Sequence, residues 1–153
     1  LSYVKRMAMK KMDFVQNKYP ESLILTADTV VSVGRRILPK TFLREELLSY
    51  LDLLSGRRHR VITAFSISSP FFKTKVKHVT SIVKFKRLTT EEKNFYSNSN
   101  EWKGKAGGYA IQGVASRYIN FLSGSYSNVV GLPLSEVYNF LVSNGYKINN
   151  EKK

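Results

Sequence analysis

Asp28 is the carboxylate of this sequence whose surroundings suit chemistry. It follows the apolar run Leu23-Ile24-Leu25 and precedes Val30-Val31. A charge in that setting is either buried and paired, or it projects from a strand end into a cleft of the kind where open α/β sheets bind ligands. The other ten of the eleven acids are explained by solvation, capping or the helix dipole. Glu45, Glu46, Glu91, Glu92 and Glu136 fall on helix faces or first turns, and Asp13, Glu21, Asp52, Glu101 and Glu151 fall at the surface. Lys11, Lys40, Arg35 and Arg36 offer matching cations, each with a solvated surface as its plainer reading. Gln112 lies beside Ile111 and among close-set glycines. Its amide carries paired donor and acceptor groups that could read a base edge, or could be a satisfied structural amide. The segment Gly104 to Gly113 is neither G-x-G-x-x-G nor a Walker loop, so its glycines mark either close backbone approach to a phosphate or turns. Ser123, Ser125 and Ser127 have no His–Asp partners nearby in sequence, which gives acyl transfer no support. With no cysteine and two histidines, a thiol nucleophile, an iron–sulfur cluster, a Cys-rich zinc site and a His-rich metal site are excluded.

The elements that must position these groups follow from periodicity. Val4, Ala8, Met12 and Val15 form a helical stripe over residues 2–18, which Pro20 stops. Residues 22–31 read as a strand buried on both faces. A turn at Gly34 to Arg36 leads through Ile37-Leu38-Pro39-Lys40 to a second helix, where Leu43, Leu47, Tyr50, Leu51 and Leu54 hold a 3.6-residue face before Ser55-Gly56. Residues 59–69 and 79–87 read as strands, joined by a loose connection over 70–77. Thr89-Thr90-Glu91-Glu92 is a capping box for a short helix. Tyr118 to Leu122 is an apolar run, residues 124–131 read as a loop, and Pro133 suits the first turn of a last helix closed by Gly145. Alternating helices and strands predict one α/β or α+β domain over residues 1–153.

Charge is the unusual number of the composition. The 153 residues are 42% hydrophobic, but 25 Lys+Arg against 11 Asp+Glu leave a net charge of +14. Such a surface attracts polyanions, whether nucleotides, nucleic acid or phosphates. Nine of the basic residues fall between Leu53 and Thr90, where there is no acid. No apolar run approaches the length of a membrane span. Absence of cysteine is compatible with a reducing cytoplasm, which is the expected location.

Several ordered segments together resemble one family. Ala27-Asp28-Thr29-Val30-Val31, Ile37-Leu38-Pro39-Lys40 and the stretch Leu54 to Thr63 resemble the Maf proteins, which are nucleoside triphosphate pyrophosphatases. Trp102 to Gly113 and Gly124 to Glu136 resemble that family's two C-terminal motifs. The resemblance implies an α/β fold like that of inosine triphosphate pyrophosphatases, a mixed sheet flanked by helices around a central nucleotide groove. It implies hydrolysis of a nucleoside triphosphate, dTTP or UTP in the branch concerned, to monophosphate and pyrophosphate, with Mg or Mn as the divalent cation. Asp28 matches the family's catalytic acid, which could also position the metal. Lys11 matches a helix lysine and Lys40 the lysine after the I-L turn, both on the substrate. Thr29 and Gln112 match the positions linked to base choice.

Two departures stand beside these matches. The family's N-terminal S-x-S-P-R-R block has no counterpart in these residues, which raises the expectation of a domain truncated at its N-terminus with an incomplete groove. The I-L-G-K-P pattern reads Ile37-Leu38-Pro39-Lys40-Thr41, which alters the loop and keeps the lysine. Attack on a triphosphate needs cations around it, and Lys11, Lys40 and a metal would supply them. The alternatives are a catalytically impaired remnant of that enzyme and a basic nucleic-acid-binding module. A homodimer is left open, and no membrane partner is expected.

Overall fold

The computed structural model describes residues 1–147, so Glu151 lies outside the described residues. Helix α1, Ser2–Lys18, forms where the sequence places it. Val4, Ala8 and Met12, four residues apart, are wholly buried on one face. Strand β1, Ile24–Val33, follows, and the short β2, Arg36–Ile37, turns back on its end. Helix α2, Arg44–Leu54, buries Leu47, Tyr50, Leu51 and Leu54. Each fully buried leucine of that face is worth about 1.5–3 kcal/mol relative to exposure.

Strands β3, Arg58–Ser69, and β4, Phe72–Phe85, form one long hairpin. Ser69 pairs with Phe72, so the loose connection expected over 70–77 is instead a tight turn at Pro70-Phe71. Residues 72–77 alternate half-buried Phe72, Thr74 and Val76 with exposed Lys73, Lys75 and Lys77, the period of a strand with one wet face. Helix α3, Thr90–Asn98, opens on the expected capping box, with the Thr89 side chain accepting from the Glu92 N–H. Strand β5, Ile119–Ser123, is followed by helix α4, Tyr126–Val130, in the segment read as a loop, and by α5, Leu134–Ser143. Ser125 caps α4 by accepting from the Asn128 N–H, and this local bond turns a serine-rich, glycine-bounded stretch into a helical turn.

The five strands lie in the order β2-β1-β3-β4-β5, and every pairing is antiparallel. The fold class stands as helices flanking a sheet, but among the described residues that sheet is antiparallel where the resemblance implied a mixed one. One face carries α1, through Val4 and Ala8 against Val30, Ile62 and Ala64. The opposite face holds the larger core, in which Val31, Val61 and Val83 meet Leu47, Leu51 and Leu54 of α2 together with Phe85, Tyr96, Trp102 and Tyr109. Helix α5 extends that side with Val137 and Phe140 against Phe65 and Ile67. Among the described residues no helix is long and apolar enough to cross a membrane.

Strand β1 departs from the expectation of burial on both faces. Only Val30 to Val33 are buried in succession; Leu25 is 38% exposed and Ala27 to Thr29 are half-buried. The cause is the short reach of β2, which pairs only with Ser32 and Val33. The edge of β1 from Ile24 to Val31 has no strand partner among the described residues.

Candidate active site

A groove of about 440 Å³ lies along that unpaired edge. The edge's own backbone takes part in building it. The Val31 carbonyl accepts from the Leu38 N–H at 2.9 Å, and the Ala27 carbonyl accepts from Lys11 Nζ at 2.8 Å. Alternation along the strand turns the Thr29 backbone, midway between them, to the same side. Side chains of successive residues leave opposite faces of a sheet. A free edge nevertheless lets one groove reach both, and Asp28 and Thr29 both line it.

Asp28 resolves the two readings of its sequence setting by satisfying parts of each. Its side chain is 14% exposed and paired, with Oδ1 accepting from Lys11 Nζ at 2.8 Å, and it also faces the groove. It does so from mid-strand rather than from a strand end. Lys11 reaches it from α1, on the exposed side of a helix whose Ala8 and Met12 are buried. Of the three donors of an ammonium, Lys11 spends one on Ala27 and one on Asp28, leaving one for a ligand.

Lys40 enters from the segment after β2. That segment is pinned on both sides, because the Leu38 carbonyl also accepts from the Gly107 N–H at 2.8 Å and the Thr41 carbonyl from the Gly104 N–H at 3.0 Å. The altered loop sequence therefore still delivers an exposed lysine to the groove. The glycine-dense segment runs against these residues as a 3-10 turn, Ala106–Gly108. Gly107 has φ +69°, and a Cβ there would stand 2.8 Å from the Val31 side chain. Glycine thus serves close packing and a left-handed turn at this point, and the segment hands Lys105 and Gln112 to the groove.

All five residues singled out for the site, Lys11, Asp28, Thr29, Lys40 and Gln112, line this one groove. Gln112 is exposed, and its amide has no hydrogen-bond partner among the described residues, unlike a satisfied structural amide. Arg35 and Arg36 lie at the β1–β2 turn and do not line it. Ser125 and Ser127 serve α4 and its neighbour: Ser127 Oγ accepts from the Leu134 N–H at 2.9 Å.

Three further contributors escape a reading by residue type. Lys105 is a third lysine of the groove, making three cations against the single carboxylate of Asp28; a lysine inside a glycine-rich stretch was the available signal. Tyr109 forms part of the floor, and its hydroxyl lies 2.6 Å from His59 Nε2. Burial pushes the His59 imidazole down to about 4 and raises the Tyr109 phenol, so both stay neutral. Asn128 is wholly buried on α4 and donates through Nδ2 to the Val61 carbonyl and to Ser81 Oγ, each at 3.0 Å. It fixes the wall of Val129, Val130 and Gly131 to β3 and β4.

A helix-flanked sheet with a lysine-rich groove around one carboxylate defines an α/β protein with one cationic groove on a sheet edge. The family model described as Maf-like protein matches residues 1–144, and the chain belongs to the Maf family. It is 51% identical over 149 residues to the dTTP/UTP pyrophosphatase of Zymomonas mobilis, covering 97% of this chain and 74% of that protein. It is 47% identical over 148 residues to the nucleoside triphosphate pyrophosphatase of Anaplasma phagocytophilum, covering 97% of this chain and 76% of that one. With the dTTP/UTP pyrophosphatase of Chelativorans sp. it shares 53% identity over 127 residues, 83% of this chain and 61% of the relative.

Proposed function

We propose that this protein hydrolyses a nucleoside triphosphate, dTTP or UTP by preference, to the monophosphate and pyrophosphate. The observation that carries the reading is the convergence of Lys11, Lys40 and Lys105 with Asp28 on one groove, in a chain whose relatives bear pyrophosphatase names. A triphosphate entering this groove exchanges its hydration for ammonium groups held by pinned backbone, which favours the negative charge that builds during phosphoryl transfer. Water attacks the α-phosphorus. The bond from that phosphorus to the oxygen bridging to the β-phosphate breaks, the water proton passes to Asp28, and pyrophosphate departs with the bridging oxygen. Lys11 holds the Asp28 carboxylate in place for that transfer. Gln112 and Thr29 lie along the same groove and meet the base.

The donor set accommodates a divalent cation of one particular kind. Asp28 is the only carboxylate of the groove, and no cluster of three metal-ligating side chains occurs among the described residues. Asp28 would be the residue to hold an ion such as Mg²⁺, which takes few protein carboxylates and needs no all-protein cage. Bound there, the cation would offset charge on the phosphates. The cytoplasm, where nucleoside triphosphates are made and used, is the proposed compartment.

Incubation with Mg²⁺ or Mn²⁺ and dTTP, UTP, CTP or ATP, followed by assay of monophosphate and pyrophosphate, tests the activity. Asp28→Asn should lower the rate by about 10²–10⁴-fold, the range for a positioned acid–base group. Full activity in that variant refutes the assignment.

A further inference from the structure

The groove carries two groups able to read a base, and they differ in freedom. Gln112 is exposed and unpaired among the described residues, so its amide can turn either its oxygen or its nitrogen to a ligand. An amide free to flip suits both the carbonyl-and-N–H edge of uracil or thymine and the amine-and-lone-pair edge of cytosine. Discrimination between those edges therefore needs a group whose polarity is fixed.

Thr29 is such a group, and Thr63 is what fixes it. The two residues face each other in the β1–β3 register, with their hydroxyl oxygens 2.8 Å apart. Thr63 is wholly buried, and its Oγ1 donates to the Asn128 carbonyl at 3.2 Å. Thr29 Oγ1 has a second partner in the Gly131 carbonyl at 3.4 Å. Carbonyls only accept, so the two hydroxyl protons can be placed in few ways. With Thr63 donating to Asn128, the short oxygen–oxygen contact needs the Thr29 proton. With Thr63 donating to Thr29 instead, the Thr29 proton goes to Gly131. In both arrangements Thr29 keeps its proton inside the protein and turns a lone pair to the groove. Donation outward leaves Thr63 donating to Thr29, a state in which neither carbonyl has its hydroxyl bond.

We infer that Thr63 is a specificity-positioning residue: it holds the Thr29 hydroxyl as an acceptor, so the groove favours a pyrimidine with an imino N–H, uracil or thymine, over cytosine, which has a bare ring nitrogen there. This rests on the reading of the groove as a nucleotide site. It adds a residue that does not line the groove, and a physical cause for the choice of base. One hydrogen bond of this kind separates the two ligands by roughly five- to tenfold.

The test measures binding of the non-hydrolysable α,β-imido analogues of UTP and CTP, beside kcat/KM for UTP and CTP. Thr63→Val keeps the shape of the side chain and removes the hydroxyl, leaving the Thr29 proton only the long 3.4 Å contact to the Gly131 carbonyl to hold it inside, so that it can turn to the groove. The UTP-over-CTP preference should fall roughly five- to tenfold in both readouts, while Thr63→Ser keeps it. If Thr63→Val does not fold, Thr29→Val removes the acceptor itself and should show the same loss of preference. Wild-type protein that binds the UTP analogue preferentially, loses that preference in Thr63→Val and hydrolyses neither triphosphate supports this inference and overturns the pyrophosphatase reading. An active enzyme whose preference survives both valine variants overturns the inference alone. Equal binding of the two analogues by wild type overturns it too.

Discussion

Lys11 orders the carboxylate of this groove, and His59 lies beneath its floor against Tyr109. Lys11 bonds both the backbone and the carboxylate of adjacent strand residues, so it orders Asp28 and brings charge with one gesture. His59 acts from below. Its ring is buried against Phe85 and Tyr109, and its Nδ1 has no partner among the described residues, so the neutral form is strongly favoured. An unfolded chain takes up that proton near pH 6.5, whereas the folded protein resists until about 4. The unfolded state thus binds more protons in that window, and stability falls as pH drops through it, while above it the contribution is fully present. Between pH 7.5 and 5 the wild type should lose about 2 kcal/mol of unfolding free energy through this group. His59→Gln should lose correspondingly less, as urea unfolding at the two pH values would show. Sequence could not supply this, because a lone histidine in a basic stretch gives no sign of its burial. Asp28 was legible for the opposite reason: a charge set among Leu23, Ile24, Leu25, Val30 and Val31 has few bland explanations.

Elements matter here chiefly through the edge of β1. Because β2 pairs only with Ser32 and Val33, the strand leaves an open flank on which α1, the segment after β2 and the glycine-rich turn converge. That convergence depends on close approach at Gly107, which sits at φ +69° against Val31. Gly107→Ala should cost about 2–4 kcal/mol, adding left-handed strain to overpacking against a strand side chain. Its thermal midpoint should drop by several degrees, and nucleotide affinity should fall with it; an unshifted melt would contradict the packing. Helices α1, α2 and α3 were legible because periodicity and caps are local signals. Residues 72–77 and 126–130 were not. The lysines of Lys73-Thr74-Lys75-Val76-Lys77 hide a strand whose wet face they form, and α4 rests on one serine cap and the buried amide of Asn128. The antiparallel order of the sheet depends on pairings between distant segments, which no single stretch of sequence encodes.

At the scale of the whole molecule, a net charge of +14 surrounds a groove holding three lysines and one carboxylate. A field of that sign draws a triphosphate inward, and salt screens it. kcat/KM should therefore fall several-fold between about 0.05 and 0.5 M KCl, with kcat changing much less. A rate constant indifferent to salt would mean that the charge is a solvated surface only. The hydrolysis itself is assigned to Asp28, ordered by Lys11 on the open edge of β1. Its most direct measurement is single-turnover cleavage of α-³²P-labelled UTP by wild type and by Asp28→Asn at matched, saturating protein. Wild type should release labelled monophosphate, and the assignment of Asp28 requires a rate at least about a hundredfold lower in the variant with nucleotide still bound. Equal rates of monophosphate release from the two proteins would contradict it.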